Sequence, residues 1–357
     1  MPEFIPPFSL DRQNAALAAE VESAALRVLR SGRYAQGPEC EAFERELAPW
    51  VGGARAVTCS SGTDALHLAL RAVGVSAGDV VLTTPFTFFA TAGAILLAGA
   101  VPEFVDIDPE TFNLSPEALR LALARPRQTR VAAIVPVHLY GRMADMPAIL
   151  DAAGNIPVVE DAAQAIGASL NDRPAGAWGA AAAFSFYPTK NLGAMGEGGL
   201  VTTTRPEVEA KLRLLRAHGS PRRYAHDILG WNGRMHELQA AILRVKLPHL
   251  AGWNQRRAGI AAEYGLAPVV AGHVYHQYVI RSPRRDALRD HLRELQVGSE
   301  VYYPTPLDCQ PALAAYGNGT PCPESLRASQ EVVALPMFPE LSADEVRRVR
   351  EAFRSFS

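Results

Sequence analysis

Phe184-Ser185-Phe186-Tyr187-Pro188-Thr189-Lys190-Asn191-Leu192-Gly193 ends an apolar run and leads directly into Ala194-Met195-Gly196-Glu197-Gly198-Gly199. A lysine is a useful amine nucleophile only where its surroundings stop it from staying protonated, and a polar apex between buried strands can do that. The glycines would let backbone approach a bound group closely. Lys190 is therefore the candidate for covalent chemistry. The bland alternative is a solvated loop lysine, and partners elsewhere in the chain decide between the two. Outward from this segment, short apolar runs alternate with helical segments: Ala56 to Ser60, Val80 to Thr84, Pro102 to Ile107, Val131 to His138, Pro157 to Asp161, Ala181 to Phe186 and Gly199 to Thr203. That rhythm predicts an α/β fold with a mostly parallel central sheet covered on both faces. Functional residues should then gather on loops at the carboxyl edge of the strands.

A packing helix is expected from Ala16 to Leu29, stopped at Ser31-Gly32. Beyond Gly230 the texture changes. A helical stretch from Met235 to Leu247 is broken by Pro248, and the remainder of the chain reads as a smaller α+β unit: a strand over Val274 to Arg281, a helix over Arg284 to Leu295 and a terminal helix over Ser342 to Phe356. A chain of 357 residues can bury one large core and one lesser one. The expected division is a large domain over residues 1–247 and a small carboxyl-terminal domain over 248–357.

Hydrophobic residues make up 48% of the chain and charged residues 20%, so the whole length should fold. A formal net charge of −2 without any long basic block lacks the electrostatic footprint of a nucleic-acid binder. The densest basic cluster, Arg213, Arg216, Arg222 and Arg223, reads either as a solvated helix face and turn or as a phosphate contact. Cys40, Cys59, Cys309 and Cys322 lack the close pairing of a zinc site and are too sparse for a disulfide framework. Reduced, mostly buried thiols and no metal site are expected. The stretch Met1-Pro2-Glu3-Phe4-Ile5-Pro6-Pro7 has no charged start followed by an apolar signal core, and no apolar run reaches the length of a membrane span. A cytoplasmic protein without membrane partners is the expectation.

Three further segments carry chemistry. Ser60-Ser61-Gly62-Thr63-Asp64-Ala65-Leu66-His67 follows a strand and opens a helix, where free N–H groups and hydroxyls suit a phosphate; its plain alternative is an N-cap. Thr84-Pro85-Phe86-Thr87-Phe88-Phe89-Ala90-Thr91 brings aromatics to the same edge. Phe88 is the ring placed to stack on a flat ligand, with Phe86 and Phe89 expected in the core. Val158-Val159-Glu160-Asp161-Ala162-Ala163-Gln164-Ala165 ends a buried strand in a carboxylate that needs a positive partner. A protonated pyridine nitrogen would serve, which is the pairing required by pyridoxal phosphate enzymes. The alternative for Asp161 is an N-cap for a helix starting at Ala162.

Taken in order, these segments resemble the DegT/DnrJ/EryC1/StrS family of sugar aminotransferases, which use pyridoxal 5'-phosphate (PLP) on the aspartate-aminotransferase-like fold (fold type I). The resemblance runs from Gly37 through Leu335-Pro336-Met337-Phe338-Pro339. It implies that Lys190 forms the internal aldimine, that Asp161 pairs with the pyridine nitrogen, that Gln164 hydrogen-bonds the phenolic oxygen and that Phe88 stacks on the ring. Gly62, Thr63 and Ser185 are similar to the phosphate ligands of the same subunit. Asn232, in Gly230-Trp231-Asn232-Gly233-Arg234-Met235, is similar to the asparagine that reaches the phosphate across a dimer interface, which implies a homodimer with shared active sites. The implied reaction takes an amino group from L-glutamate to a nucleotide-linked keto sugar.

Within the family, Phe186 to Gly193 looks more like members acting at a 3-keto than at a 4-keto position. His218, Tyr224 and His226 resemble the loop those members place over the sugar, with Tyr187 and Tyr303 as further sugar contacts. Val137-His138-Leu139-Tyr140-Gly141 also matches a family segment, where His138 reads as structural ahead of substrate-binding. Two departures stand out: Asp308 where many relatives have histidine, and Glu197 where 3-keto members more often have aspartate. Lys190 argues against the sugar dehydratases of the family, which carry histidine there. No motif assigns the arginine pair of an ordinary amino-acid aminotransferase. A regulatory protein that binds PLP without turnover is the remaining alternative from another class.

Overall fold

The computed structural model of the chain describes residues 3–316 and 320–356; Met1 and Pro2 of the amino-terminal stretch lie outside them. The first helix, α1 (Asp11–Ser31), is longer than its apolar spacing suggested and ends at Gly32 in the left-handed conformation. Next come α2 (Pro38–Leu47), β1 (Arg55–Cys59), α3 (Gly62–Ala72), β2 (Val80–Thr83), α4 (Ala90–Leu97), β3 (Val101–Phe104), α5 (Pro116–Leu123), β4 (Val131–Val135), α6 (Met146–Ala153) and β5 (Val159–Asp161). A small hairpin of β6 (Ser169–Leu170) and β7 (Arg173–Pro174) precedes β8 (Ala181–Ser185), β9 (Gly199–Thr203) and α7 (Pro206–Leu215).

The strands pair as β3-β2-β4 and β5-β8-β9-β1. A parallel bridge between Ile134 and Val158 joins the two sets. Only β9 runs against its neighbours, so the sheet is mostly parallel, as the sequence rhythm predicts. Alternate residues of each strand enter opposite cores: Leu82, Val158 and Leu200 pack on one face, Val81, Val159 and Val201 on the other. Both faces are apolar because both are covered, by α2, α6 and α8 (Glu237–Lys246) on the first and by α3, α4 and α7 on the second.

Pro248 ends α8, and after one short 3₁₀ turn the chain continues as α9 (Leu250–Tyr264), which hydrophobic spacing alone does not reveal. The rest comprises β10 (Tyr278–Arg281), α10 (Arg285–Glu294), α11 (Pro323–Glu331), β11 (Val332–Leu335) and α12 (Ala343–Arg354), with β10 and β11 antiparallel. Ile260, Tyr264, Tyr278, Leu288, Leu292 and Val349 form a separate core there, and Ile5 belongs to it through a bridge with Val297. Among the described residues no helix is long and apolar enough to cross a membrane. Cys40, Cys59 and Cys322 are buried free thiols, while Cys309 is exposed.

Candidate active site

The parallel strands and β1 end at one sheet edge, and their loops enclose a cavity of about 660 Å³. Ser61, Gly62 and Thr63 follow β1; Thr87, Phe88 and Thr91 follow β2; Asp161 and Gln164 come from β5; Ser185, Tyr187 and Lys190 come from β8. The carboxyl-terminal part of the chain closes the other side with His276, Gln277, Glu300, Tyr302 and Tyr303.

Lys190 sits in a tightly folded loop. The Lys190 N–H donates to the Tyr187 carbonyl (2.8 Å) and the Ala194 N–H to the Phe186 carbonyl (2.8 Å). Beneath it the buried Lys246 ammonium donates to the Gly193 carbonyl (2.9 Å), and Gln239 Oε1 accepts from the Met195 N–H (3.0 Å). A Cβ at Gly193 would stand 2.2 Å from the Pro188 carbonyl oxygen, so this fold requires glycine. Burial lowers the Lys190 amine to about 8, partly offset by the Asp161 carboxylate.

Asp161 shows the complementary imbalance. Burial raises its carboxyl above the ordinary range, opposed by hydrogen bonds from Thr91 Oγ1 (2.8 Å) and the Ala163 N–H (3.2 Å) and by the charge of Lys190. Residues after Ala162 form turns rather than a helix, so Asp161 is not a helix N-cap. Gln164 is oriented at both ends: Oε1 accepts from the Tyr140 N–H (2.6 Å) and Nε2 donates to the Tyr303 hydroxyl (3.2 Å). Phe88 is 59% exposed on the cavity rim, with its ring centroid 6.3 Å from that of Tyr303. Phe86 is buried as expected, but Phe89 is 44% exposed: it directly precedes α4 on the outer surface and does not join the core.

At the start of α3, Ser61 Oγ accepts from the Asp64 N–H (3.1 Å), so the cap reading holds and leaves the other helix-start N–H groups for a ligand. A Cβ at Gly62 would lie 2.6 Å from Ser185 Cβ, so the absence of a side chain keeps this cradle open. That cradle, a buried carboxylate lacking a cation in hydrogen-bonding contact and an amine lowered by burial together fit a flat, phosphorylated, aldehyde-bearing cofactor with a basic ring nitrogen.

Other sequence candidates lie elsewhere. Asn232, His218, Tyr224 and His226 are exposed and do not line this cavity in their own chain. Asn232 Oδ1 accepts from Arg234 Nε (2.9 Å). His138 is fully buried and structural: Nδ1 accepts from the Ala144 N–H (3.2 Å), so Nε2 carries the proton donated to Glu160 (3.0 Å). Although burial disfavours its charge, this bond and N–H groups of Gly176 and Gly179 hold the Glu160 carboxyl below the ordinary range. Arg213 and Arg216 are bound to Glu44; Arg216 is buried, which corrects its solvated-face reading, while Arg213 stays partly exposed on its helix. Sequence reasoning missed Thr91 and His276. Thr91 meets Asp161 across 70 positions, and His276 donates from Nδ1 to Asn191 Oδ1 (3.2 Å), since Asn191 Nδ2 already donates to Asn254 and Val274.

The model of the DegT/DnrJ/EryC1/StrS aminotransferase family matches residues 16–354. The chain is 44% identical to the "Pleiotropic regulatory protein" of Geobacillus stearothermophilus, over 99% of this chain and 100% of that one. It is 42% identical to the UDP-N-acetyl-3-dehydro-alpha-D-glucosamine 3-aminotransferase of Acidithiobacillus ferrooxidans, over 98% and 97%. The fold matches the crystal structure of S. venezuelae DesV in complex with a ketimine intermediate, with a TM-score of 0.94 and 40% identity, covering 99% of each chain.

Proposed function

Since this chain belongs to the DegT/DnrJ/EryC1/StrS aminotransferase family, we propose that it moves an amino group from L-glutamate to the 3-keto position of a nucleotide-linked hexose, making an amino sugar nucleotide. Enzymes of this family are PLP-dependent sugar aminotransferases, and this chain is one of that class. The observation that carries the reading is the pairing of Lys190, its amine lowered to about 8, with the buried Asp161 carboxylate in one cavity.

When bound, the cofactor supplies an electron sink for the carbon that loses and regains a proton. Lys190 Nζ would hold and move that proton, a role helped by the burial that lowers its amine below the ordinary lysine value. Asp161 holds positive charge at the ring nitrogen, Thr91 and the Ala163 N–H orient its carboxylate, and Gln164 Nε2 is placed for the phenolic oxygen. Gly62, Thr63 and Ser185 would hold the phosphate and Phe88 would cover the ring, all four lining the cavity. Tyr187 and Tyr303 meet the sugar. A second copy brings Asn232 to the phosphate and His218, Tyr224 and His226 over the sugar, consistent with their exposure outside their own cavity.

The 3-keto position draws support from the 3-aminotransferase relative. The test is the absorbance of the PLP-loaded protein before and after L-glutamate, followed by product mass on UDP- and dTDP-linked 3-keto and 4-keto sugars. Conversion of the visible band to the near-ultraviolet with amination of 3-keto sugars is the expected result; amination only of 4-keto sugars would move the position. The relative named a pleiotropic regulatory protein favours one second reading, a regulator that binds PLP without turnover. Its signature is a cofactor band indifferent to every amino donor. We also propose the domain division at 247/248, supported by the separate second core, although Ile5 of the amino-terminal stretch packs into that core and Leu250 into the first; limited proteolysis between Lys246 and Leu250 tests it.

A further inference from the structure

The charges around the cavity are unevenly distributed. Among the described residues that line it, Asp161, Glu197 and Glu300 are carboxylates, Lys190 is the single full cation, and there is no arginine. His276 adds no charge, because burial, with Lys190 and Arg257 nearby, holds it well below the ordinary histidine range. Lys190 and Asp161 act on each other. Glu197 and Glu300 are left, and neither has an ion-pair or side-chain hydrogen-bond partner among the described residues.

Their backbones are fixed from two different parts of the fold. Glu197 precedes Gly198, whose carbonyl accepts from the Phe186 N–H (2.8 Å) beside the Lys190 loop. Glu300 exchanges both backbone hydrogen bonds with Ala334 of β11 (3.1 and 2.8 Å). The two exposed carboxylates therefore line the cavity from the β8–β9 connection and from the segment bonded to β11. The neutral polar groups beside them, Gln277, Tyr187 and Tyr302, offer hydrogen bonds and no charge.

We infer that Glu197 and Glu300 are specificity-determining residues that select a keto sugar with a neutral hexose ring and disfavour one carrying a ring carboxylate. The inference rests on the sugar-nucleotide reading proposed for the chain and narrows it. A sugar hydroxyl donates to a carboxylate and forms the stronger, charge-assisted kind of hydrogen bond. A hexuronate offers only acceptors at that carbon, meets like charge, and finds no arginine fork among the described residues that line one chain's own cavity. Selection thus comes from repulsion of the acidic sugar as well as attraction of the neutral one.

The test measures equilibrium binding to the full-length, PLP-loaded protein of two matched pairs that lack the ketone and so need no turnover: UDP-N-acetylglucosamine with UDP-N-acetylglucosaminuronate, and dTDP-glucose with dTDP-glucuronate. In at least one pair the neutral member should bind on the order of 10- to 100-fold tighter at low salt, with the gap shrinking as salt rises. Glu197→Gln with Glu300→Gln should narrow it to about threefold or less, and each single variant should narrow it in part, which guards against a double variant that fails to fold. Equal affinity, preference for the uronate, or a gap unchanged in correctly folded variants overturns the inference. If no member of either pair binds, the inference falls together with the sugar-nucleotide acceptor, while the response of the cofactor band to L-glutamate reports separately whether amino transfer stands.

Discussion

Burial pulls Lys190 and Asp161 in directions that a shared ligand reconciles: the amine is lowered to about 8 and the carboxyl is raised. Only the unprotonated amine attacks an aldehyde. The rate at which cofactor-free protein captures PLP should therefore climb with pH and level off above about 8; a rise continuing to the ordinary lysine value of 10.5 would show an unperturbed side chain. The sign also fixes a stability trend. A lysine whose folded value lies below its unfolded one carries a penalty that is full below about 8 and fades as pH rises toward 10.5. Lys190→Met should remove that part of the pH dependence from denaturation curves of the cofactor-free protein, and Lys190→Ala should abolish both the visible cofactor band and turnover. Asp161→Asn keeps the shape and loses the charge, so it should lower the single-turnover rate constant with L-glutamate by about 10²-fold or more.

At the scale of elements, two contacts set how the sheet edge works. Gly62 opens α3 against β8, and a Cβ there would meet Ser185 Cβ at 2.6 Å. Gly62→Ala should weaken PLP binding by about tenfold or more and cost about 1–3 kcal/mol through overpacking, measured by cofactor titration and by denaturation. Glu160, fully buried one residue before Asp161, accepts from His138 and from the N–H groups of Gly176, Trp178 and Gly179. Glu160→Ala would strand those neutral donors, at about 1–3 kcal/mol for each one left buried and unsatisfied, visible as a lowered unfolding midpoint. The strands that carry these contacts were legible in the sequence because a strand covered on both faces is apolar throughout. The loops carrying Lys190 and Asp161 were legible because their motifs are local. Helix α9 was not, because its core face includes Arg257, whose guanidinium donates to the carbonyls of Tyr275, His276 and Met337; a residue that reads as surface is buried by backbone partners invisible in sequence. Thr91 and His276 were missed for the same reason, since their roles arise from contacts between distant segments.

For the whole molecule, the cavity and its sequence-derived residues divide in two. Lys190, Asp161, Gln164, Ser185, Gly62, Thr63, Phe88, Tyr187 and Tyr303 line one chain's cavity, while Asn232, His218, Tyr224 and His226 face outward. The outward segment also exposes Tyr224 at 82% and Leu229 at 87%, apolar surface that a second copy of the chain would cover. If Asn232 completes a neighbour's site under two-fold symmetry, each site draws Lys190 from one subunit and Asn232 from the other. Mixing inactive Lys190→Ala protein with inactive Asn232→Ala protein, after subunit exchange, then creates heterodimers in which one site has lost both residues and the other is intact. Random exchange of equal amounts makes half the dimers mixed, with one good site in two, so activity should return to about a quarter of the unmodified level. Recovery at that level shows the site is shared. A mixture that stays as inactive as its parts, with exchange verified by mass, would place Asn232 in service of its own chain and leave each cavity complete without a partner.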